Sequence, residues 1–222
     1  MSDPEMISQI ARQNMVSSQI RTNKVWDMAI VNAMESLPRE AFVPESHSAL
    51  AYVDEDILLA GGRIVMEPMI MARMIQALAL DLNDVVLEVA CGTGFGSAIM
   101  SKLAKTVIAI DSDPELVEAT QKRLIENACE NVAVIQADVT QGVGDPGSVD
   151  AILINGCIQK EPSALLDLLA EGGRLVCPML DTRGRSQVRL YTKFGDSASF
   201  RPLFDANIPV LPEFSVPKGF RF

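Results

Sequence analysis

From residue 84 onward, short apolar runs alternate with amphipathic segments, and this alternation restricts the possible folds most strongly. The runs Val85–Val89, Thr106–Ile110 and Val132–Gln136 are rich in β-branched residues, which is typical of strands. The segments between them, Gly96–Ala104 and Pro114–Ala128, have helical spacing, and the second has proline in its first turn. Strands joined by helices predict right-handed crossovers and a parallel sheet with helices on both faces.

The alternation continues toward the carboxyl end and changes character near residue 187. Two alternating segments there flank a turn that contains Gly195, which predicts an antiparallel hairpin at the sheet edge. The predicted fold class is α/β: a doubly wound, mostly parallel, Rossmann-like sheet with an antiparallel carboxyl-terminal hairpin and an amino-terminal helical extension. The remaining predicted elements are a strand over Val149–Ile154, a helix over Pro162–Ala170, a strand over Arg174–Pro178, and hairpin strands over 187–193 and 199–204.

The first third of the chain has a different pattern. Helical spacing over Met6–Met34 predicts two helices, and a further helix begins at Pro68 after an irregular connector. Trp26 is interpreted as a packing residue of the second helix. We therefore predict two parts: residues 1–80 form the helical extension and connector, and residues 81–222 form a ligand-binding α/β domain with the hairpin.

Charge and cysteine content exclude several classes of protein. The 222 residues include 19 basic and 29 acidic ones, which gives a net charge of −10 and a pI of about 4.6. Nucleic acids and anionic membranes need a basic surface, so neither is expected as a partner. Apolar stretches are too short to span a membrane, and the start of the chain lacks the pattern of a signal peptide. With four cysteines, no C-x-x-C pair and one histidine, we expect reduced thiols, no metal site and a cytoplasmic location.

The loop after the first predicted strand is rich in glycine and reads E-V-A-C-G-T-G-F-G over Glu88–Gly96. Glycines let a backbone turn sharply and approach a ligand closely. Acidic or amide side chains end the next three strands, and the carboxyl ends of parallel strands form the ligand-binding edge of open α/β sheets. The predicted ligand-binding residues are Glu88, Ala90, Gly92, Gly94, Asp111, Ser112, Asp138, Val139 and Asn155.

The glycine spacing and the local charge distinguish between two ligands. A dinucleotide site needs G-x-G-x-x-G, so that pyrophosphate rests on a helix N-terminus, and this loop does not have that spacing. An acidic rim with no nearby lysine or arginine suits a cationic ligand without phosphate, and S-adenosylmethionine has this chemistry. Asp111 would accept its ribose hydroxyls, with Asp138 and Val139 beside the adenine. The alternative is that these acids only cap helices and turns.

Further segments, most of them outside the cofactor half, resemble a known family. They read Met15-Val16-x-x-Gln19-Ile20-Arg21, Pro38-Arg39, Phe42-Val43-Pro44-Glu45 and Gly172-Gly173-Arg174-Leu175-Val176. On these motifs the chain resembles the protein-L-isoaspartate O-methyltransferase family of class I methyltransferases over nearly its whole length. The resemblance implies a methyltransferase sheet, S-adenosylmethionine as cofactor and S-adenosylhomocysteine as product. It also implies methyl transfer to the free carboxylate of isoaspartyl residues, which begins protein repair.

The connector departs from the family at its acceptor-site motif. Where the family usually carries Gly-Gln-Thr-Ile-Ser-Gln-Pro, this chain has Gly62-Arg63-Ile64-Val65-Met66-Glu67-Pro68. Met66 and Glu67 replace the usual Ser-Gln, and they are the predicted catalytic positions. Met66 cannot donate a hydrogen bond to an acceptor. An ionised Glu67 about 4 Å from a carboxylate would repel it by about 1–4 kcal/mol.

Three functions therefore remain open. The first is isoaspartyl methylation; the second is methylation of a different small-molecule or protein acceptor, with Glu67 as general base. The third is binding of S-adenosylmethionine without catalysis. The structural interpretations are a helix-start acid for Glu67, a core residue for Met66 and a solvated loop residue for Arg63. The expected partner is a protein, peptide or small-molecule acceptor, and the oligomeric state is not predicted.

Overall fold

The computed structural model describes residues 3–216, and its main feature is a sheet of seven strands. The strand order is β5-β4-β3-β6-β7-β8-β9; the first five are parallel, and β8 and β9 extend the sheet as an antiparallel hairpin. These pairings confirm the predicted fold class. The strands are β1 (Ile57–Leu58), β2 (Ile64–Val65), β3 (Val85–Val89), β4 (Thr106–Asp111), β5 (Val132–Gln136), β6 (Val149–Ile154), β7 (Leu169–Leu180), β8 (Ser186–Phe194) and β9 (Ser197–Asp205).

In the described part of the chain, six α-helices accompany the sheet, and local signals set several of their ends. The Asp27 carboxylate accepts a hydrogen bond from the Ala29 amide and caps α2, and the residue before Pro38 is extended, which ends that helix. The Asp113 side chain caps α5 in the same way. The helices are α1 (Asp3–Met15), α2 (Met28–Ser36), α3 (Pro68–Leu78), α4 (Phe95–Met100), α5 (Pro114–Glu126) and α6 (Ser163–Asp167).

The connector between α2 and α3 is more ordered than its sequence pattern indicates. Strands β1 and β2 pair in antiparallel fashion, with Ile57 opposite Val65. The guanidinium of Arg39 is fully buried and donates to the carbonyl oxygens of Ala51 at 2.7 Å and Met66 at 2.9 Å. It also lies 4.8 Å from the ring centroid of Phe95, at the start of α4. A buried arginine therefore ties the connector to the sheet domain.

Alternate residues of the central strands pack into separate cores on the two faces of the sheet. Val86 faces a large core that includes side chains from α1, α2, α3 and α4, whereas Leu87 faces a second core shared with α6 and Leu211. This alternation is the period of two expected of a strand with both faces covered. The amino-terminal helices are therefore part of the main core.

Three sequence-based expectations need correction. Helix α4 ends at Met100 instead of Ala104, because the chain continues in tight turns. In one of them the Leu103 amide donates a hydrogen bond to the Met100 carbonyl oxygen. Strand β7 is much longer than predicted, because its antiparallel pairing with β8 extends to Leu180. Trp26 is not a packing residue of the second helix: it is 74% exposed, and it lies before the first residue of α2.

Two features are absent from residues 3–216. No helix in that range is long and apolar enough to cross a membrane. The same residues contain no group of three or more His, Cys, Asp or Glu side chains that could hold a metal ion. All four cysteines are buried and unpaired.

The shared core predicts that the amino-terminal helices and the sheet unfold together. Replacing the fully buried Met34 of α2 by alanine removes core contacts and should lower the free energy of unfolding of the whole chain by about 2–5 kcal/mol. Thermal denaturation followed by calorimetry checks this. Met28→Ala, at a side chain 51% exposed on the same helix, is the control. A separate early transition in Met34→Ala would contradict a common core.

Candidate functional site

The glycine loop between β3 and α4 has the tight backbone that its sequence predicts. Gly92 and Gly94 have positive φ angles of 56° and 86°, and Ala90 also lies in the left-handed region with φ of 57°. A Cβ atom at Gly94 would meet the Thr120 Cγ2 atom at 2.6 Å, so only glycine fits there. The Thr120 hydroxyl donates to the Gly92 carbonyl oxygen at 2.6 Å. Helix α5 therefore holds the loop in place.

The carboxylate of Asp111, at the end of β4, is fully buried beside this loop. Its Oδ2 accepts a hydrogen bond from the Gly92 amide at 3.1 Å, and its Oδ1 accepts one from the Asp113 amide at 3.2 Å. The Nε of Arg63 donates to both oxygens at 3.0 Å. A buried charge needs such partners, because its desolvation is costly. The structure thus joins the predicted ribose carboxylate to the glycine loop.

Arg63 is the residue whose environment differs most from expectation. It is 2% exposed, so the interpretation as a solvated loop arginine is wrong. Besides Asp111, its guanidinium donates to the two Glu213 carboxylate oxygens at 3.1 and 2.7 Å and to the Ser112 hydroxyl at 2.8 Å. Burial favours the neutral guanidine, but hydrogen bonds to Glu213 and Asp111 outweigh it and raise the pKa of Arg63.

Glu88 lies inside β3 and does not reach the open edge of the sheet. Burial raises the pKa of its carboxyl to about 8, although hydrogen bonds from Ser97 oppose this and Asp111 adds to it. Its Oε2 accepts the Ser97 hydroxyl, and Oε1 has no hydrogen-bond partner among the described residues. Glu88 is therefore largely protonated at neutral pH, and the predicted acidic rim carries less charge than the sequence suggests.

The other predicted cofactor residues lie at the same edge but in different environments. Asp138 is exposed, and its Oδ1 accepts the Thr140 amide at 2.8 Å and hydroxyl at 2.7 Å, as a turn-capping residue would. Val139 packs into the core shared with α6. Asn155 follows β6, is buried, and its Oδ1 has no hydrogen-bond partner among the described residues. An unpaired buried acceptor is costly and marks a place where a ligand could donate.

The two predicted acceptor-site residues also differ from each other. The Met66 side chain is 1% exposed and packs in the main core. Glu67 is half-buried just before α3, and its amide donates to Asp56 Oδ1 at 2.8 Å. Burial and the nearby carboxylates of Asp56, Asp54 and Glu55 raise the pKa of Glu67 to about 7. Near neutral pH this side chain is therefore divided between acid and carboxylate.

Comparison with known proteins adds an independent line of evidence. The family model described as protein-L-isoaspartate(D-aspartate) O-methyltransferase (PCMT) matches residues 10–204. A protein-L-isoaspartate O-methyltransferase 2 from Pelobacter propionicus is 36% identical over 168 residues, which are 76% of this chain and 75% of that protein. A relative from Methanoculleus marisnigri is 30% identical over 184 residues, 83% and 84% of the two chains. The chain belongs to the protein-L-isoaspartate O-methyltransferase family.

Solved structures agree with the fold. A putative protein-L-isoaspartate O-methyltransferase from Plasmodium falciparum, in complex with S-adenosyl-L-homocysteine, has a TM-score of 0.77 at 21% identity and covers 91% of this chain and 98% of its own. Another protein-L-isoaspartate O-methyltransferase has the same TM-score of 0.77 at 23% identity, with 89% of this chain and 64% of that longer one covered. Family membership confirms the predicted enzyme class, a methyltransferase that uses S-adenosylmethionine.

The described residues fit this cofactor. Gly92 has no side chain above a tight loop, and Asp111 offers a carboxylate at the strand end. Asn155 Oδ1 is a buried acceptor with no hydrogen-bond partner within residues 3–216. A Cβ atom at Gly92 would approach the Ile64 carbonyl oxygen at 3.1 Å, so the connector lies directly against the loop. The cofactor edge and the acceptor-side connector are thus in contact.

Sequence reasoning missed three residues that shape this site. Glu213 comes from the carboxyl-terminal segment and pairs with Arg63, although 150 positions separate them. Thr120 fixes the loop, and Arg39 anchors the connector from inside the core. Long-range contacts of this kind leave no periodic pattern in the sequence. The proline-arginine pair at residues 38 and 39 was the one available signal for Arg39.

The buried Glu88 predicts a specific dependence of stability on pH. The unfolded carboxyl titrates near 4.5 and the folded one near 8, so between these values ionisation favours the unfolded state. The contribution of Glu88 to the free energy of unfolding is therefore fully present below about pH 4.5 and is lost as pH rises toward about 8. Glu88→Gln should remove that loss, as measured by urea denaturation across pH. Glu45→Gln, at an exposed acid, is the control; equal pH slopes for Glu88→Gln and wild type would refute the assignment.

Proposed function

We propose that this protein transfers a methyl group from S-adenosylmethionine to the side-chain carboxylate of isoaspartyl residues in proteins or peptides. The observation that carries the proposal is the arrangement of Gly92, buried Asp111 and unpaired Asn155 at one sheet edge in a member of this family. The Plasmodium falciparum relative with bound S-adenosyl-L-homocysteine supports the cofactor. The proposed cofactor-binding residues are Glu88, Ala90, Gly92, Gly94, Asp111, Ser112, Asp138, Val139 and Asn155.

The residues of this chain bind and orient the reactants. The cofactor supplies an electrophilic methyl group on a sulfonium, so the reaction is an in-line displacement that depends mainly on alignment. Asp111 would accept hydrogen bonds from the ribose hydroxyls. Asn155 Oδ1 would accept a hydrogen bond from another donor group of the cofactor near the end of β6. Asp138 offers its second carboxylate oxygen to the adenine amino group. A carboxylate acceptor is already ionised at neutral pH, so it needs no general base.

Glu67 has two possible roles, and its charge distinguishes them. In its acid form it donates a hydrogen bond and replaces the serine hydroxyl that Met66 cannot supply. Once ionised, it repels an anionic acceptor. Burial, together with the nearby carboxylates of Asp56, Asp54 and Glu55, raises its pKa to about 7 and so maintains the donor form near neutrality. Isoaspartyl methylation through Glu67 therefore decreases as pH rises through about 7.

The second candidate function is methylation of an acceptor that must lose a proton. A pKa of about 7 also suits a general base, and a base is active only when ionised. The pH dependence is then reversed, with activity that rises through the same range. Binding of the cofactor without catalysis remains the third possibility, in which neither acceptor is methylated.

The remaining assignments follow from the same arrangement. Residues 1–80 supply the acceptor side and residues 81–222 the cofactor side, with the last six residues outside the described range. The partner is a protein or peptide, because the family's activity concerns isoaspartyl residues. Four free cysteines suit a reducing compartment, which supports a cytoplasmic location.

Labelled methyl transfer to an isoaspartyl peptide, followed across pH, tests the function. We expect the rate to fall about tenfold between about pH 6 and 8, because the acid fraction of Glu67 falls by that factor around a pKa of 7. Glu67→Gln, which introduces the family's usual residue as a permanent donor, should abolish this dependence and retain activity at high pH.

Glu130→Gln, at an exposed acid outside the site, serves as the control and should keep the wild-type profile. Transfer to a peptide without isoaspartate, at a rate that rises with pH and is lost in Glu67→Gln, would favour the second function. No transfer to isoaspartyl peptide at any pH would contradict the proposal.

A further inference from the structure

Arg63 and the cofactor ribose need the same two oxygens. Arg63 Nε donates to both Asp111 carboxylate oxygens at 3.0 Å, and these are the acceptors that ribose hydroxyls would use. Resting on the function proposed above, we infer that Arg63 competes with the ribose for Asp111. Cofactor binding then displaces the guanidinium and opens the contact that covers the site.

That contact joins parts of the chain far apart in sequence, and we call Arg63, Asp111, Ser112 and Glu213 the arginine clasp. The Ser112 hydroxyl donates to Glu213 Oε1 at 2.9 Å, next to the Arg63 guanidinium. Beside it, a Cβ atom at Gly62 would meet the Pro212 ring at 2.8 Å, so the connector and the carboxyl-terminal segment are in direct contact. The clasp therefore closes both segments over the end of β4.

The charges allow the clasp to open without leaving an arginine unpaired. When the ribose takes Asp111, Arg63 keeps its two hydrogen bonds to Glu213, at 3.1 and 2.7 Å. Glu213 is partly exposed, so this pair can shift toward solvent. The family's usual glutamine at this position has no charge, so the competition is a property of this chain. Arg63 thereby sets the affinity for the cofactor.

Calorimetric titration with S-adenosylhomocysteine tests the competition. Arg63→Gln should bind about tenfold to a hundredfold more tightly than wild type, since a hydrogen-bonded charge no longer has to be displaced. Its melting temperature without ligand should fall, because Asp111 and Glu213 lose a partner. Arg185→Gln, at an arginine whose side chain is 72% exposed, should leave both quantities unchanged.

The outcomes are separable. A lower melting temperature with equal or weaker affinity would show that Arg63 is only structural and would overturn the competition. Binding to neither protein would overturn the cofactor assignment as well. Tight binding to wild type with no gain in Arg63→Gln would overturn the competition alone.

An independent observation concerns a cavity of about 340 Å³ between α3 and β9. Lys24, Arg73 and Arg201 line it, and none of the three pairs with an acidic side chain among the described residues. The exposed Trp26 and the ring of Phe204 provide apolar walls. A concentration of positive charge is unusual on a chain with net charge −10. The cavity therefore selects an anionic ligand.

The walls of this cavity are held in place. The Gln76 side-chain oxygen accepts the amides of Trp26 at 2.8 Å and Asp27 at 3.1 Å, and its nitrogen donates to the Lys24 carbonyl at 3.0 Å. The Arg73 guanidinium lies 3.5 Å from the Phe204 ring centroid. The backbone at one wall and the Arg73 side chain are thus held in place, and the three cations form no ion pair within residues 3–216.

Its position suggests which anion it holds. Helix α3 begins directly after Glu67, and Arg73 lies about 9 Å further along its axis. We propose that the cavity binds an acidic segment of the acceptor protein. This second proposal rests on a peptide acceptor but not on methyl transfer itself.

The sole tryptophan of the chain makes the test direct, since Trp26 forms part of the wall. Tryptophan fluorescence should change saturably on titration with a capped octaglutamate peptide, and the affinity should weaken as salt increases. Octaglutamine should have no effect. The double variant Arg73→Gln, Arg201→Gln should weaken octaglutamate binding about tenfold or more, whereas Arg183→Gln, Arg185→Gln should not.

No saturable change with octaglutamate, or one that survives Arg73→Gln, Arg201→Gln, would overturn the proposal. An equal response to inorganic phosphate at the same concentration would show a small-anion site and would also overturn it. Because the assay needs neither cofactor nor turnover, its failure is distinct from a failure of methyl transfer.

Discussion

The buried carboxylate of Asp111 is the interaction on which the arrangement of the site depends. It accepts the Gly92 amide, which fixes the glycine loop, and it holds the Arg63 guanidinium, which fixes the connector. Through Arg63 it also positions the carboxyl-terminal segment at Glu213. Removing a full charge from water is costly, so these donors are required as long as no ligand replaces them. One side chain thus couples the cofactor loop to two covering segments.

A second buried charge stabilises the same region from the opposite side. Arg39 lies inside the main core and holds the backbone of Ala51 and Met66, and burial lowers its pKa to about 10. It remains charged at neutral pH, attracted by nearby Asp56 and Asp54. The connector has a small apolar cluster of its own, and two buried arginines position it further. Arg39 also contacts the acceptor motif directly, through the Met66 carbonyl oxygen.

The sheet and the glycine loop were predictable, because period and turn chemistry are local. Strands Val132–Gln136 and Val149–Ile154 have the predicted boundaries, and Asp111 lies at the predicted strand end. The arginine clasp was not predictable, since Glu213 reaches Arg63 only through the completed fold. Glu88 illustrates the same limit: its charge state depends on burial that no sequence pattern shows. Roles of individual site residues therefore remain proposals, whereas the fold and the family are established.

The central claim is that one carboxylate serves first Arg63 and then the cofactor. A crystal structure of the complex with S-adenosylhomocysteine tests it most directly, through the distances from Asp111 to the ribose hydroxyls and to Arg63 Nε. We expect ribose hydroxyls within hydrogen-bonding distance of Asp111, with Arg63 withdrawn from the 3.0 Å contact and still paired with Glu213. Bound S-adenosylhomocysteine with the Arg63–Asp111 pair intact would contradict it.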